Sequence, residues 1–211
     1  MAGRTSLIAL ALVLFVSAAP TPVKVFPRAL PSVIAVSTAK TYLSELTVAA
    51  ESNSPAYDRN RFKTWDIISG TCDTRETVLK RDGTNVVVST NCHATSGTWV
   101  SPYDGVTTTD ASTFDIDHIV ALKEAWISGA KDWTDVQREA FANDLTRPQL
   151  VAVDASINRS KGDGDPASFL PPLTSFQCEY VRAYISVKHS YALSVDVDEK
   201  AAMQDVLNNV C

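Results

Sequence analysis

The sequence predicts an α+β fold built as one domain. Extended, valine- and threonine-rich stretches gather in the middle of the chain, and the clearest amphipathic helices fill its last third. Such segregation of strands from helices marks that class. Four cysteines add covalent staples, and 45% hydrophobic residues in a chain of 211 suffice for a sizeable core. Ten prolines and eight glycines are too few for a disordered or collagen-like chain.

The N-terminal "MAGRTSLIALALVLFVSAAP" has the three parts of a secretory signal: Arg4, an apolar run from Leu7 to Val16, and a small-residue cleavage site at Val16-Ser17-Ala18. The run is about half of the roughly twenty residues that cross a bilayer, and no later segment is apolar enough to anchor the chain. Residues 1–18 are read as the signal, 19–35 as a flexible, proline-punctuated segment, and 36–211 as the single domain. The expectation is a secreted monomer with no membrane attachment after signal removal.

Val36 to Leu46 reads as a helix with Val36, Tyr42, Leu43 and Leu46 on one side. "SNSPAYDRNRF" is a loop, after which Asp73-Thr74 caps a short helix carrying Val78 and Leu79. "TNVVVSTNC" reads as a strand, and "SGTWVSPYDGVTTTD" as a hairpin with Ser-Pro and Asp-Gly turn signals. "STFDIDH" is a further strand, with Phe114 and Ile116 on one face and Asp115 and Asp117 on the other. A helix from Ile119 to Ser128 is expected to stop at Gly129. A Thr134/Gln137 capping box opens the next, predicted to bury Val136, Ala140 and Phe141. "PQLVAVD" is a short apolar strand, and "ASINRSKGDGDP" a turn leading into a helical turn that breaks at Gly162. Phe176, Tyr180, Tyr184, Val187 and Tyr191 then recur at helical spacing, as do Met203, Val206, Leu207 and Val210 after a start at Asp196 or Asp198.

In a secreted chain, four cysteines read as two disulfides with three possible connectivities. The nearest-neighbour choice is Cys72–Cys92 with Cys178–Cys211, each bond contributing roughly 3–4 kcal/mol through loop closure. A zinc site would need C-x2-C spacing, which the sequence lacks.

The stretch "FDIDHIVALKEAW" places Asp117-His118 at the lip of an apolar segment. Alone this is a weak signal, since a structural His118 held by Asp115 fits equally well. Some forty residues later, "LVAVDASINRSKGD" supplies a strand, a turn, then Asn158 and Lys161 one helical turn apart on a shared face. Strand with Asp-His, strand, then helix with Asn is the order of a ββα-metal, HNH-like nuclease site. Its chemistry needs these residue types. A hard divalent cation takes oxygen from a carboxylate and an amide carbonyl, a neutral imidazole strips a proton from water, and the cation with a lysine or arginine offsets charge growing on phosphoryl oxygens.

"DIDHIVALKEAW", "QREAFANDLTRPQLVAVDASINRSKGDGDPASFLPP" and "YVRAYISVKHSYALSVD", with "YDRNRF" and "CDTRETVLKRD" upstream, resemble the secreted branch of the GmrSD-type HNH endonucleases over most of the mature chain. The resemblance implies a nucleic acid substrate and one divalent cation, Mg²⁺ with Mn²⁺ as substitute. It implies Asp117 and Asn158 as metal ligands, His118 as general base and Lys161 as a phosphate contact. Gln149 falls at the middle position, often Asn, that holds the loop by hydrogen bonds.

Arg75 and Arg159 are candidate substrate-binding cations, Arg75 reading equally as a salt-bridged structural residue. Glu124 lies within two turns of His118 as a candidate support for the site, or else on a solvated helix face with Lys123. Arg59 and Arg61 are candidates for a cleft lining or for a plain solvated face, and His189 is read as packing or surface. Asn158-Arg159-Ser160 is also an N-glycosylation sequon, expected to stay unmodified in a folded site.

A net charge of -5 and a pI near 5.2 exclude a protein that coats nucleic acid by bulk electrostatics, though not an enzyme with a local cationic cleft. Two rivals remain open at this level. One is a metal-independent ribonuclease using His118, Glu124 and Arg75. The other is a catalytically silent secreted binding protein on the same fold.

Overall fold

The structure, a computed structural model, describes residues 30–31 and 33–211. The residues read as a secretory signal, and most of the N-terminal segment after them, lie outside the described residues. The part of that segment nearest the domain departs from the flexible reading. Leu30 is buried in the main core, and the Arg182 guanidinium donates to the Ile34 carbonyl at 2.8 Å. Among the described residues, the packed body therefore begins no later than Leu30.

Helix α1 (Val36–Glu45) forms where expected and buries Ala39 and Leu43. A single 3-10 turn at Arg59–Arg61 interrupts the following loop. Two strands too short for any periodicity, β1 (Ile67–Ser69) and β2 (Cys72–Asp73), pair as an antiparallel ribbon that sequence analysis did not anticipate. Helix α2 (Thr74–Asp82) starts at Asp73, whose carboxylate accepts from the Glu76 N–H at 2.8 Å. Strands β3 (Thr84–Val88), β4 (Ala94–Val100) and β5 (Thr107–Thr108) make an antiparallel three-stranded sheet.

Strand β6 (Phe114–His118) pairs antiparallel with β7 (Leu150–Asp154), in a register that sets Ile116 against Ala152 and Asp117 against Val151. Helices α3 (Leu122–Ile127) and α4 (Asp135–Ala142) lie in the connection, and α5 (Ala155–Lys161) follows β7 directly. Helix α3 starts three residues later than the sequence suggests. The Ile119 and Val120 N–H groups instead donate across to Gln149 and extend the ribbon. In α4 the Thr134/Gln137 capping box is present, but the buried residues are Arg138, Phe141 and Ala142, while Val136 is 74% exposed. The apolar pattern fails there because an arginine joins the core. Arg138 donates to the Ala130 carbonyl at 3.0 Å and sits over the Trp126 ring.

Helices α6 (Thr174–Ser190) and α7 (Val197–Asn209) complete the chain, α7 opened by a capping box between Asp196 and Glu199. The main core unites α1, α3, α4, α6 and α7 with Val151 and Val153 of β7. A smaller core holds Val78, Leu79 and Trp99 against Phe114, Ile116, Leu150 and Ala152. Strand β7 is therefore shared by both cores, while β6 packs its apolar face on the smaller one. Both nearest-neighbour disulfides, Cys72–Cys92 and Cys178–Cys211, are formed.

Candidate active site

Alternation along β6 turns Asp115 and Asp117 toward α5, opposite the side that packs Phe114 and Ile116. Helix α5 starts immediately after β7 because Asp154 ends the strand and caps the helix, accepting from the Ser156 and Ile157 N–H groups. One turn on, Asn158 and Lys161 face the two aspartates. The Asn158 Nδ2 donates to Asp115 at 3.2 Å. The Lys161 ammonium donates to Asp117 at 3.0 Å and to the His118 carbonyl at 2.9 Å. Asp115 thus serves Asn158, not His118.

Lys161 lies deeper than the sequence reading expects of a phosphate contact. Its side chain is fully buried and its ammonium is occupied by groups of β6. The other Asp117 oxygen accepts from the hydroxyl of Tyr103, a fully buried residue between β4 and β5. Burial raises the Asp117 pKa, with Lys161 and Tyr103 opposing the rise. Burial and then the Asp117 charge push the Tyr103 phenol well above its ordinary value, so it remains a donor.

His118 ends β6 with its ring stacked on Trp65, centroids 5.6 Å apart and planes 9° from parallel. Its Nε2 lies 2.9 Å from the Ala142 carbonyl. A carbonyl only accepts, so Nε2 carries the hydrogen and Nδ1 keeps the lone pair. Burial drives the imidazole pKa down to about 3, the Ala142 carbonyl opposing and the Arg59 and Lys161 charges reinforcing. The ring is therefore a neutral base throughout the physiological range.

Asp117, His118 and Asn158 line one open pocket of about 370 Å³, with Tyr57, Arg59 and Arg159 at its walls. Gln149 is fully buried beside it. Its amide donates to the Val120 carbonyl at 2.9 Å and accepts from the Val120 N–H at 3.1 Å, clamping the backbone just after His118.

Two nominated residues lie elsewhere. Glu124 does not face His118, because α3 begins only at Leu122. Its carboxylate is 2.6 Å from the buried Lys188 ammonium, which also lies 2.8 Å from Glu199. Arg75 donates to the Phe114 carbonyl at 2.8 Å, at the opposite end of β6, and does not line the pocket. Arg61 pairs with Asp135 at 3.0 Å, leaving Arg59 as the pocket arginine from that loop. His189 stacks on Tyr42 and meets Glu45. Tyr103, Trp65 and Tyr57 escaped sequence reasoning, since nothing in their local spacing distinguishes them from core aromatics.

The donor set suits a hard divalent cation. With Nδ2 committed to Asp115, the Asn158 Oδ1 is left without a protein partner among the described residues. A carboxylate offers about four acceptor positions, so Asp117 retains lone pairs beyond those taken by Lys161 and Tyr103. Another acidic group among the described residues, Glu51, Asp165 and Asp196, brings ligand atoms within 4.8 Å of one another but involves none of the nominated ligands.

Residues 73–206 match the family model described as "GmrSD restriction endonucleases, C-terminal domain". The chain is 53% identical over 193 residues to an "Uncharacterized secreted protein" of Arthroderma benhamiae, covering 92% of this chain and 93% of the relative. No solved structure matches the chain.

Proposed function

Because this chain belongs to the family of GmrSD restriction endonuclease C-terminal domains, we propose that it is a secreted, metal-dependent nuclease that hydrolyses phosphodiester bonds of DNA or RNA through an HNH-type site. The single observation carrying the reading is that Asp117, His118 and Asn158, which lie between positions 117 and 158 of the sequence, line one pocket at the end of a β–β–α unit. The relative named as secreted and the signal-like N-terminus support export.

In this reading His118 takes a proton from the attacking water at Nδ1, its ring fixed by Trp65 and the Ala142 carbonyl. Asp117 and the Asn158 Oδ1 would hold one divalent cation, expected to be Mg²⁺ or Mn²⁺, which when bound supplies Lewis acidity to the phosphoryl oxygens. Arg59 and Arg159 stand at the pocket wall to contact phosphate, a role that Lys161 leaves to them by being buried. Lys161 instead holds Asp117 and the end of β6 in place.

The metal-independent alternative loses its constellation, because Glu124 and Arg75 are engaged away from His118. Digestion of plasmid and RNA with Mg²⁺, Mn²⁺ or EDTA tests the proposal. Cleavage should vanish in EDTA, and His118→Ala should lose roughly 100- to 10,000-fold. Cleavage that persists through both changes removes the mechanism. A wild-type protein whose thermal melt ignores added metal and which cleaves nothing would be the silent binding protein instead.

A further inference from the structure

Resting on that metal-site reading, we infer that Tyr103, which lies outside the β–β–α unit, is a positioning residue that orients the Asp117 carboxylate for the cation. Lys161 fixes one Asp117 oxygen and Tyr103 the other. A carboxylate held at both oxygens cannot rotate about its Cβ–Cγ bond, so its remaining lone pairs keep one direction toward the pocket. Asn158 is fixed by equivalent logic, its Nδ2 tied to Asp115. The two ligands are thus preorganised from different elements, and metal ligands oriented by such hydrogen bonds bind about 10- to 100-fold more tightly than unsupported ones.

Tyr103 is itself immobilised. Its ring is fully buried among Phe169, Phe176 and Tyr180, and its backbone carbonyl accepts from the Leu173 N–H at 2.8 Å. The hydroxyl therefore reaches Asp117 from a rigid mount joining the β4–β5 hairpin to α6. Tyr180 supplies an internal control. It packs edge-on against Tyr103 at 5.6 Å and is equally buried, yet its hydroxyl has no protein partner among the described residues.

The experiment is calorimetric titration of the whole secreted protein with Mn²⁺ alone, comparing wild type, Tyr103→Phe, Tyr180→Phe and Asp117→Asn. Tyr103→Phe keeps the ring and its packing; it should weaken Mn²⁺ binding at least about tenfold, and its cleavage should recover as Mn²⁺ is raised. Tyr180→Phe should bind as wild type does, because it deletes a phenol without touching Asp117. Equal Mn²⁺ affinity in Tyr103→Phe and wild type overturns the inference while leaving the metal site standing. Failure of wild type to bind Mn²⁺, or binding undiminished in Asp117→Asn, overturns the metal site and this inference with it. If Tyr103→Phe does not melt cooperatively, 3-fluorotyrosine placed at position 103 alone retains the hydroxyl. Its fluorine resonance should then move saturably with Mg²⁺, and a resonance indifferent to Mg²⁺ refutes the role.

Discussion

At the scale of single residues, the site depends on groups whose partners lie far away in sequence. Gln149 shows this most directly: one side chain satisfies both backbone groups of Val120, and all of these are buried. Gln149→Ala leaves a donor and an acceptor unpaired, and urea denaturation should show a loss of roughly 2–3 kcal/mol. Activity should fall as well, since Val120 is two residues from His118. The sequon at Asn158 makes a second residue-scale prediction. Asn158 is partly buried inside α5, with its amide nitrogen committed to Asp115. Peptide mass spectrometry of the secreted protein should find Asn158 without a glycan, and a sugar there would be incompatible with a ligand role.

At the scale of elements, the cysteines divide their labour. Cys72–Cys92 spans 20 positions and ties the β1–β2 ribbon to the turn after β3, while Cys178–Cys211 spans 33 and fastens the end of α7 to α6. Replacing Cys178 and Cys211 together by serine should cost roughly 3–4 kcal/mol in chemical denaturation. Amide exchange should quicken first in the last turns of α7, with cleavage at saturating metal preserved, because neither residue lines the pocket. Most elements were legible in the sequence. Helix α1, the capped starts of α2, α4 and α7, the β6 and β7 strands and the long α6 all follow from caps and periodicity, which act between near neighbours. The β1–β2 ribbon was not legible, since strands of three and two residues carry no period. The buried face of α4 was misjudged because burying Arg138 depends on Trp126 and the Ala130 carbonyl.

At the scale of the whole molecule, three helices meet on a buried ionic cluster. Lys188 of α6 joins Glu124 of α3 and Glu199 of α7, and also donates to the Ser194 carbonyl at 2.8 Å. Two carboxylates share one ammonium there. Burial lifts the Glu199 pKa to about 7, Lys188 opposing the rise and Glu124 adding to it. The folded protein therefore keeps a proton that the unfolded chain, with an ordinary glutamate near 4.5, gives up. The contribution of this group to stability is complete below about pH 4.5 and is lost as pH rises through about 7, a swing on the order of 3 kcal/mol. Urea midpoints measured from pH 4.5 to 8 should show that decline in wild type relative to Glu199→Gln, which stands in for the protonated acid. Parallel profiles for the two proteins would mean that Glu199 is already ionised when folded.

Most of the helices, strands β6 and β7, the nearest-neighbour disulfide pairing and the nomination of Asp117, His118 and Asn158, which line one pocket, came from the sequence by itself. Cap chemistry, hydrophobic period and side-chain type are local properties, so a linear reading can find them. Only the tertiary structure decided that Lys161 turns inward, that Glu124 belongs to a remote ionic cluster, that Arg75 donates to a strand carbonyl, and that the Tyr103 hydroxyl donates to Asp117. Those outcomes depend on which surfaces pack together, and a side chain long enough to reach several partners takes the one that burial forces it to satisfy.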